Sequence, residues 1–199
     1  MTENSFTPQE SLKLIQSMID KTRQNMGDNS KHFLLWGWLS FTGCVAQFVL
    51  KNIFDFRQHY LVWLLCIPGA IISIAMGMRD ERKKVATTYL GESMKHLWIG
   101  MGLGFFVLSM ILSKLGWGNS IFPFFMLLYG LGTFISGKFL QFAPFVWGGV
   151  IAWILAITAT FFSYDYQMLF GAAAILISYI IPAYLLRQKN KAMPLLNEA

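Results

Sequence analysis

The chain has 199 residues, of which 55% are hydrophobic, 16% aromatic and only 13% charged, with a net charge of +6 and a mean hydropathy of +0.50. Soluble domains carry about 25% charged residues, so the chain lacks the charge an ordinary water-facing surface needs and that class is excluded. The deficit points to lipid contact along most of the chain, with one membrane body and short polar ends.

The first polar segment, residues 1–31, opens on Thr7-Pro8-Gln9-Glu10. This is a capping box with Thr7 as N-cap and Pro8 at the first helical position, and Gly27 supplies a stop signal. A helix over 8–26 would place Leu12, Leu14, Ile15, Met18, Ile19 and Met26 on one side. Glu10, Lys13, Gln16, Asp20, Arg23 and Gln24 fall opposite, so the helix is amphipathic. Leu12, Ile15, Met18, Ile19 and Met26 form a candidate docking face that needs a cover. The bundle's own surface, the lipid headgroups, a second copy or a cytosolic protein would each serve. Packing on its own bundle or lying at the interface is the first expectation, and its small positive charge, which attracts a membrane weakly, raises partner docking slightly. No secretory leader is expected, because 32 largely polar residues precede the first apolar run.

Six charge-free runs follow, at 33–50, 60–78, 97–113, 121–137, 143–162 and 167–186. Each matches the roughly 17–25 residues a helix needs to cross a bilayer. They are continuously apolar, where barrel strands would alternate. The predicted fold class is all-α: a polytopic membrane protein of six transmembrane helices over 32–186, plus the N-terminal amphipathic helix and a cytosolic tail at 187–199. A Trp near a Gly opens each odd run (Trp36-Gly37, Trp98 with Gly100, Trp147-Gly148), which suggests three helical hairpins. With the N-terminus inside, 13 of the 16 Lys and Arg lie on the cytosolic side, and only Lys51, Arg57 and Lys114 outside. That bias predicts both termini in the cytosol. The positive charge then reflects topology, and nucleic acid is not an expected partner. Trp36, Trp38, Trp98, Trp147 and Tyr184 fall near the inner interface, and Tyr60, Trp63, Trp117, Tyr164 and Tyr166 near the outer one, as aromatic belts do.

Along the spans, Cys44 and Cys66 lie at equal depth and are read as free thiols acting as small hydrophobes. Gly69, Ser73 and Gly77 on the second span, and Gly100 and Gly104 on the third, form small-residue stripes suited to close helix contact. Pro68 and Pro182 should kink the second and sixth spans. The loop from Arg79 to His96 carries Arg79, Arg82, Lys83 and Lys84, candidate contacts for anionic lipid headgroups or simply retention signals. Polar residues inside the spans are mild, among them Ser40, Gln47, Ser73, Tyr129, Thr133, Ser136, Ser178 and Tyr179. Such groups usually bond their own or a neighbouring helix. No ionisable side chain falls inside a run, which argues against a pump coupled through a buried carboxylate. No catalytic, cofactor-binding or metal-binding residue is assigned, and no cofactor is expected.

Ser136-Gly137 in the fourth run resembles the nucleophile span of rhomboid proteases, yet the His those enzymes carry in the sixth is missing, since none follows His96. A nearer resemblance starts from Leu-Ile-Gln-Ser-Met-Ile-Asp-Lys-Thr at 14–22 and Phe-Leu-Leu-Trp-Gly-Trp at 33–38. These resemble a group of uncharacterised bacterial six-span inner-membrane proteins, a likeness confined to about the first 40 residues. It implies a bacterial cytoplasmic-membrane location and no particular activity. The expected function is a non-enzymatic multi-pass protein, sensory, regulatory or scaffolding through its N-terminal helix. Its partners would be membrane lipids and a second copy or a cytosolic protein. The alternative is a small permease or substrate-binding subunit for an uncharged or lipophilic molecule, with Pro68, Gly69 and Gln47 along its path.

Overall fold

The structure, a computed structural model, describes residues 30–83, 89–116 and 120–196, with Thr7 and Leu12 from the N-terminal segment. Among the described residues every regular element is helical. Chain order is α1 (Ser30–Asn52), a 3-10 helix (His59–Leu65), α2 (Cys66–Lys83), α3 (Tyr89–Lys114), α4 (Ile121–Phe139), α5 (Ala143–Ala159), α6 (Tyr164–Ile175), a π turn (Leu176–Ile180) and α7 (Ile181–Leu196). Five helices or helix combinations are long and apolar enough to cross a membrane, and α5 is a shorter apolar helix of 17 residues. At 1.5 Å per residue α5 spans about 25 Å. It ends at Ala159, before the expected 162, where the Thr160 hydroxyl and amide both turn back onto the Ile157 carbonyl.

Two boundaries differ from the sequence expectation. The segment 79–96 is helical for most of its length, because α2 runs on to Lys83 and α3 begins at Tyr89; residues 84–88 lie outside the described set. The tail from 187 likewise continues as helix to Leu196. Lys, Arg, Glu and Gln are good helix formers, so a helix leaving an apolar zone has no reason to stop at its edge.

The two prolines act differently. At the second span the irregularity precedes Pro68: the 3-10 helix hands over at Cys66, whose amide bonds the Trp63 carbonyl. Pro68 then sits in the first turn of α2, where its missing donor would have had no helical partner. Pro182 is preceded by a helix defect. It offers no amide to the Ser178 carbonyl and its ring would strike that group, and the chain answers with the π turn directly upstream. The Ile181 amide there reaches back five residues to the Leu176 carbonyl.

The packed centre contains α1, α4, α5 and the α6–π–α7 element, around Phe33, Phe145, Met168, Tyr179, Ile180 and Ala183. Glycines bring three of these elements into backbone contact. A Cβ on Gly149 would lie 2.7 Å from the Gly130 carbonyl oxygen, and one on Gly137 would lie 2.6 Å from the Val146 nitrogen. One on Gly148 would collide with the Ser178 carbonyl. The α4–α5 turn is a Schellman motif: Phe142 N–H bonds the Gly137 carbonyl at 2.9 Å and Gln141 N–H the Lys138 carbonyl at 3.2 Å. Its left-handed position is held by Gln141, at φ +48°.

Spans two and three are peripheral. Of the most apolar stretch, 6% is buried in the second and 11% in the third, against 56% in the sixth. α2 rests on α1, with Leu39 filling the space at Gly69, and α3 leans chiefly on α4. The small-residue stripes are used unevenly. Ser73 meets α1, whereas Gly77, Gly100 and Gly104 have no atom within 4 Å of where a side chain would begin. Among the described residues, the close contact expected at the α3 stripe is absent.

Candidate functional site

The densest polar cluster among the described residues lies at the end of the bundle that carries the 53–58 and 160–163 turns. Its hub is Gln47 of α1, 2% exposed. Trp63 Nε1–H of the 3-10 helix donates to Gln47 Oε1 at 2.6 Å. Gln47 Nε2 lies 2.9 Å from the Tyr164 hydroxyl of α6 and 3.1 Å from His59 Nδ1. One turn further along α1, Lys51 forms an ion pair with Asp165 and stands 4.5 Å over the Tyr164 ring. Trp63 reaches the hub because Gly43 leaves space beneath it; a Cβ there would meet the indole at 3.3 Å.

The bonding pattern fixes the chemistry of each group. An indole N–H only donates, so the Gln47 atom facing it is the oxygen. The other amide atom is therefore the NH2, which only donates, and both its partners must accept. His59 Nδ1 thus carries a lone pair, its ring is neutral, and its hydrogen sits on Nε2. Tyr164 accepts from Gln47 and keeps its own O–H for another acceptor. The one basic nitrogen of His59 is already engaged, so the cluster is a bond-sharing node that joins three elements. A general base would need that lone pair free.

The opposite end is held by aromatic packing. Tyr179, on the π turn, lies with its ring centroid 4.8 Å from Tyr129, 5.2 Å from Phe33 and 5.7 Å from Trp98. Trp98 N–H reaches the Ser136 hydroxyl at 3.2 Å. The mild polar residues bond back to their own helices, Thr133 to the Tyr129 carbonyl and Ser178 to that of Ala174. At this same end of α1, Ser73 of α2 accepts from Trp36 N–H at 3.3 Å and pairs with His32 Nδ1 at 3.2 Å. His96, exposed in the second turn of α3, bonds the Glu92 carbonyl through Nδ1 at 2.8 Å.

The sequence-predicted positions fall as follows. Leu12 is helical and exposed, and Ile15, Met18, Ile19 and Met26 lie outside the described residues. Arg79 is exposed on α2; Arg82 and Lys83 are in its last turn, and Lys84 lies outside the described residues. Cys44 and Cys66 are free thiols, the first buried. Among the described residues no group of three or more His, Cys, Asp or Glu is placed to hold a metal. Of the expected aromatic belts, Trp38, Trp147, Tyr60, Tyr166 and Tyr184 are exposed, with Trp38 donating to the Tyr184 hydroxyl at 3.2 Å. Trp36, Trp63 and Trp98 instead turn inward to bond Ser73, Gln47 and Ser136.

Sequence reasoning treated His59, Lys51 and Asp165 as loop residues and Trp63 as a belt residue. A joint signal existed. Gln47 and Lys51, and His59 and Trp63, are spaced one helical turn apart, and both pairs flank the same loop. No protein-family model, curated protein or solved structure matches the chain.

Proposed function

We propose that the chain is a non-enzymatic multi-pass protein of the bacterial cytoplasmic membrane, with six spans in three hairpins and both termini cytosolic. In this reading it acts in a sensory, regulatory or scaffolding role, with the N-terminal amphipathic helix as its point of assembly. The supporting observation is the division of the bundle into a glycine-packed centre and two spans with apolar surface to spare. Spans two and three bury 6% and 11% of their apolar stretch, which leaves their length free to meet lipid or another transmembrane helix. The open Gly100 and Gly104 positions leave room for a close neighbour, in keeping with a second copy.

The permease reading is less well supported, because its candidate path is occupied. Gln47 is committed to three protein partners, Leu39 fills the space at Gly69, and Pro68 is exposed at the start of α2. The test of the leading reading is deletion of residues 1–27 from the full-length protein, followed by gentle extraction. Loss of a co-purifying partner or of the oligomeric state is expected. An unchanged partner set and unchanged size would refute the docking role. Reporter fusions at each terminus check the topology, which fails if either reports the outer side.

A further inference from the structure

We propose that the Gln47 cluster is a proton-operated latch: protonation of His59 breaks one of the two side-chain bonds that hold the 3-10 helix His59–Leu65 against α1, and so loosens the first half of the second span. The inference goes beyond the proposed function and does not depend on the N-terminal helix. It needs only that this end of the bundle meets water, and the proposed topology places it outside the cell.

The 3-10 helix is tied to Gln47 by Trp63, which donates to Oε1, and by His59, which accepts from Nε2. A proton on His59 Nδ1 points an N–H at an NH2, and that bond is lost. Rotating the Gln47 amide offers no escape. Oε1 would then accept from the imidazolium and from the Tyr164 O–H, but Nε2 would face the Trp63 N–H, two donors against each other. Protonation therefore removes the His59 tether or the Trp63 tether, and both belong to the same short helix. Apart from these two bonds, this part of the span is held by ring packing, Trp63 over Gly43 and 6.4 Å from the Phe122 ring, and His59 6.2 Å from the Tyr164 ring. Below the handover at Cys66, α2 is fixed to α1 by Leu39 against Gly69 and by Ser73 with Trp36 and His32. With one of its two bonds to Gln47 lost, the 3-10 helix loosens on α1 and can shift about the Leu65–Cys66 junction.

The hydrogen-bond match sets the sign of the response. The charged groups that face the ring are Lys51 of α1 and Asp165 of α6, which are paired with each other, and Tyr164 of α6 is uncharged. Tyr60 is the aromatic neighbour on its own element, with ring centroids 6.1 Å apart, and Asp55 and Arg57 on the preceding loop are exposed to solvent. A free histidine takes up its proton below about pH 6.5. The latched form suits only the neutral ring, so the unlatched form binds more protons and acid favours it. The latch is closed at neutral pH and opens as pH falls.

The experiment is hydrogen exchange on the full-length protein in lipid nanodiscs, where both faces meet the buffer. Rates are compared at about pH 7.5 and about pH 5.5 after correction for intrinsic exchange. Amides of 59–67 should lose protection by roughly tenfold, the order expected when a hydrogen bond is lost, while those of 145–152 in α5 hold theirs. His59→Gln keeps an accepting oxygen that does not titrate, and its protection should be the same at both values. Equal protection of the wild type at the two pH values overturns the proposal, as does an equal loss in the variant. If the variant fails to fold, NMR of the wild-type His59 ring decides: a hydrogen on Nε2 at neutral pH is expected, and one on Nδ1 refutes the latch.

Discussion

The same chemical change, glycine to alanine, should have opposite effects at two places in this bundle. At Gly148 the added methyl would collide with the Ser178 carbonyl oxygen and come within 2.9 Å of Ser178 Cα and 3.0 Å of its carbonyl carbon. All three are backbone atoms of the π turn, so no side chain can swing aside; α5 and the turn must separate by a good fraction of an ångström. Overpacking of this kind costs about 1–3 kcal/mol, and removing a mid-helix glycine returns about 0.5–1 kcal/mol. Gly148→Ala should therefore destabilise by about 1 kcal/mol, a factor of roughly five in the folding equilibrium. At Gly100 and Gly104 nothing lies within 4 Å, so alanine should give only the helix gain, about 0.5–1 kcal/mol each. Reversible unfolding in mixed micelles by added SDS, followed by tryptophan emission, measures all three variants against wild type. A Gly148→Ala variant as stable as wild type would refute the backbone contact between α5 and the π turn. Destabilisation by Gly100→Ala or Gly104→Ala beyond about 1 kcal/mol would refute the open face on α3 and show that another helix covers it.

Three further outcomes follow from the same contacts. Gln47→Leu strands the Trp63 N–H and releases His59 and Tyr164; at about 0.6 kcal/mol per interhelical bond in a membrane protein it should cost about 2 kcal/mol by the same unfolding assay. Adding Trp63→Phe should restore part of that loss, and strict additivity of the two would refute a shared bond. Gln141→Gly should stabilise by about 0.5–1 kcal/mol, since Gln141 holds φ +48° in the Schellman turn; a loss of thermal midpoint would contradict that geometry. Cys44 is 2% exposed while Cys66 is half-buried, so a maleimide applied to the folded protein should label Cys66 first, and prompt labelling at Cys44 would refute its place in the core.

The helical class and the approximate spans were legible because a crossing helix needs only a long uncharged run, a property each residue carries by itself. The π turn was half legible: Pro182 demands some defect, but its form depends on Gly148 of another helix pressing against the Ser178 carbonyl. Which glycines matter was not legible. Gly100 and Gly104 have the spacing of a packing stripe and face nothing within 4 Å among the described residues, whereas Gly130, Gly148 and Gly149 make backbone contacts from positions with no such regular pattern. The polar cluster was hidden for a related reason. Trp63 and Tyr164 have the composition and depth of interface residues, and only the turn of the helix axes sends one side chain to lipid and another to Gln47.

The two ends of the molecule are held by different physics, and they should answer different stimuli. The end with Phe33, Trp98, Phe145 and Tyr179 is fixed by ring packing and by glycine contacts between α4, α5 and the π turn. The titratable groups in these contacts are tyrosine phenols, which are already protonated at neutral pH and gain no proton in acid. The end with Gln47 is fixed by directional bonds whose donors and acceptors must match one for one, and a single proton upsets the match. Acid should therefore loosen one end while leaving the other intact, and heat or detergent should attack both together. The span that spans the two regimes is the second: its first half belongs to the polar node, and its second half rests on α1 through Leu39 and Trp36. A displacement begun at His59 should therefore stop at the Leu65–Cys66 junction, because α2 below it is tied to α1 by Leu39 against Gly69 and by Ser73 with Trp36 and His32.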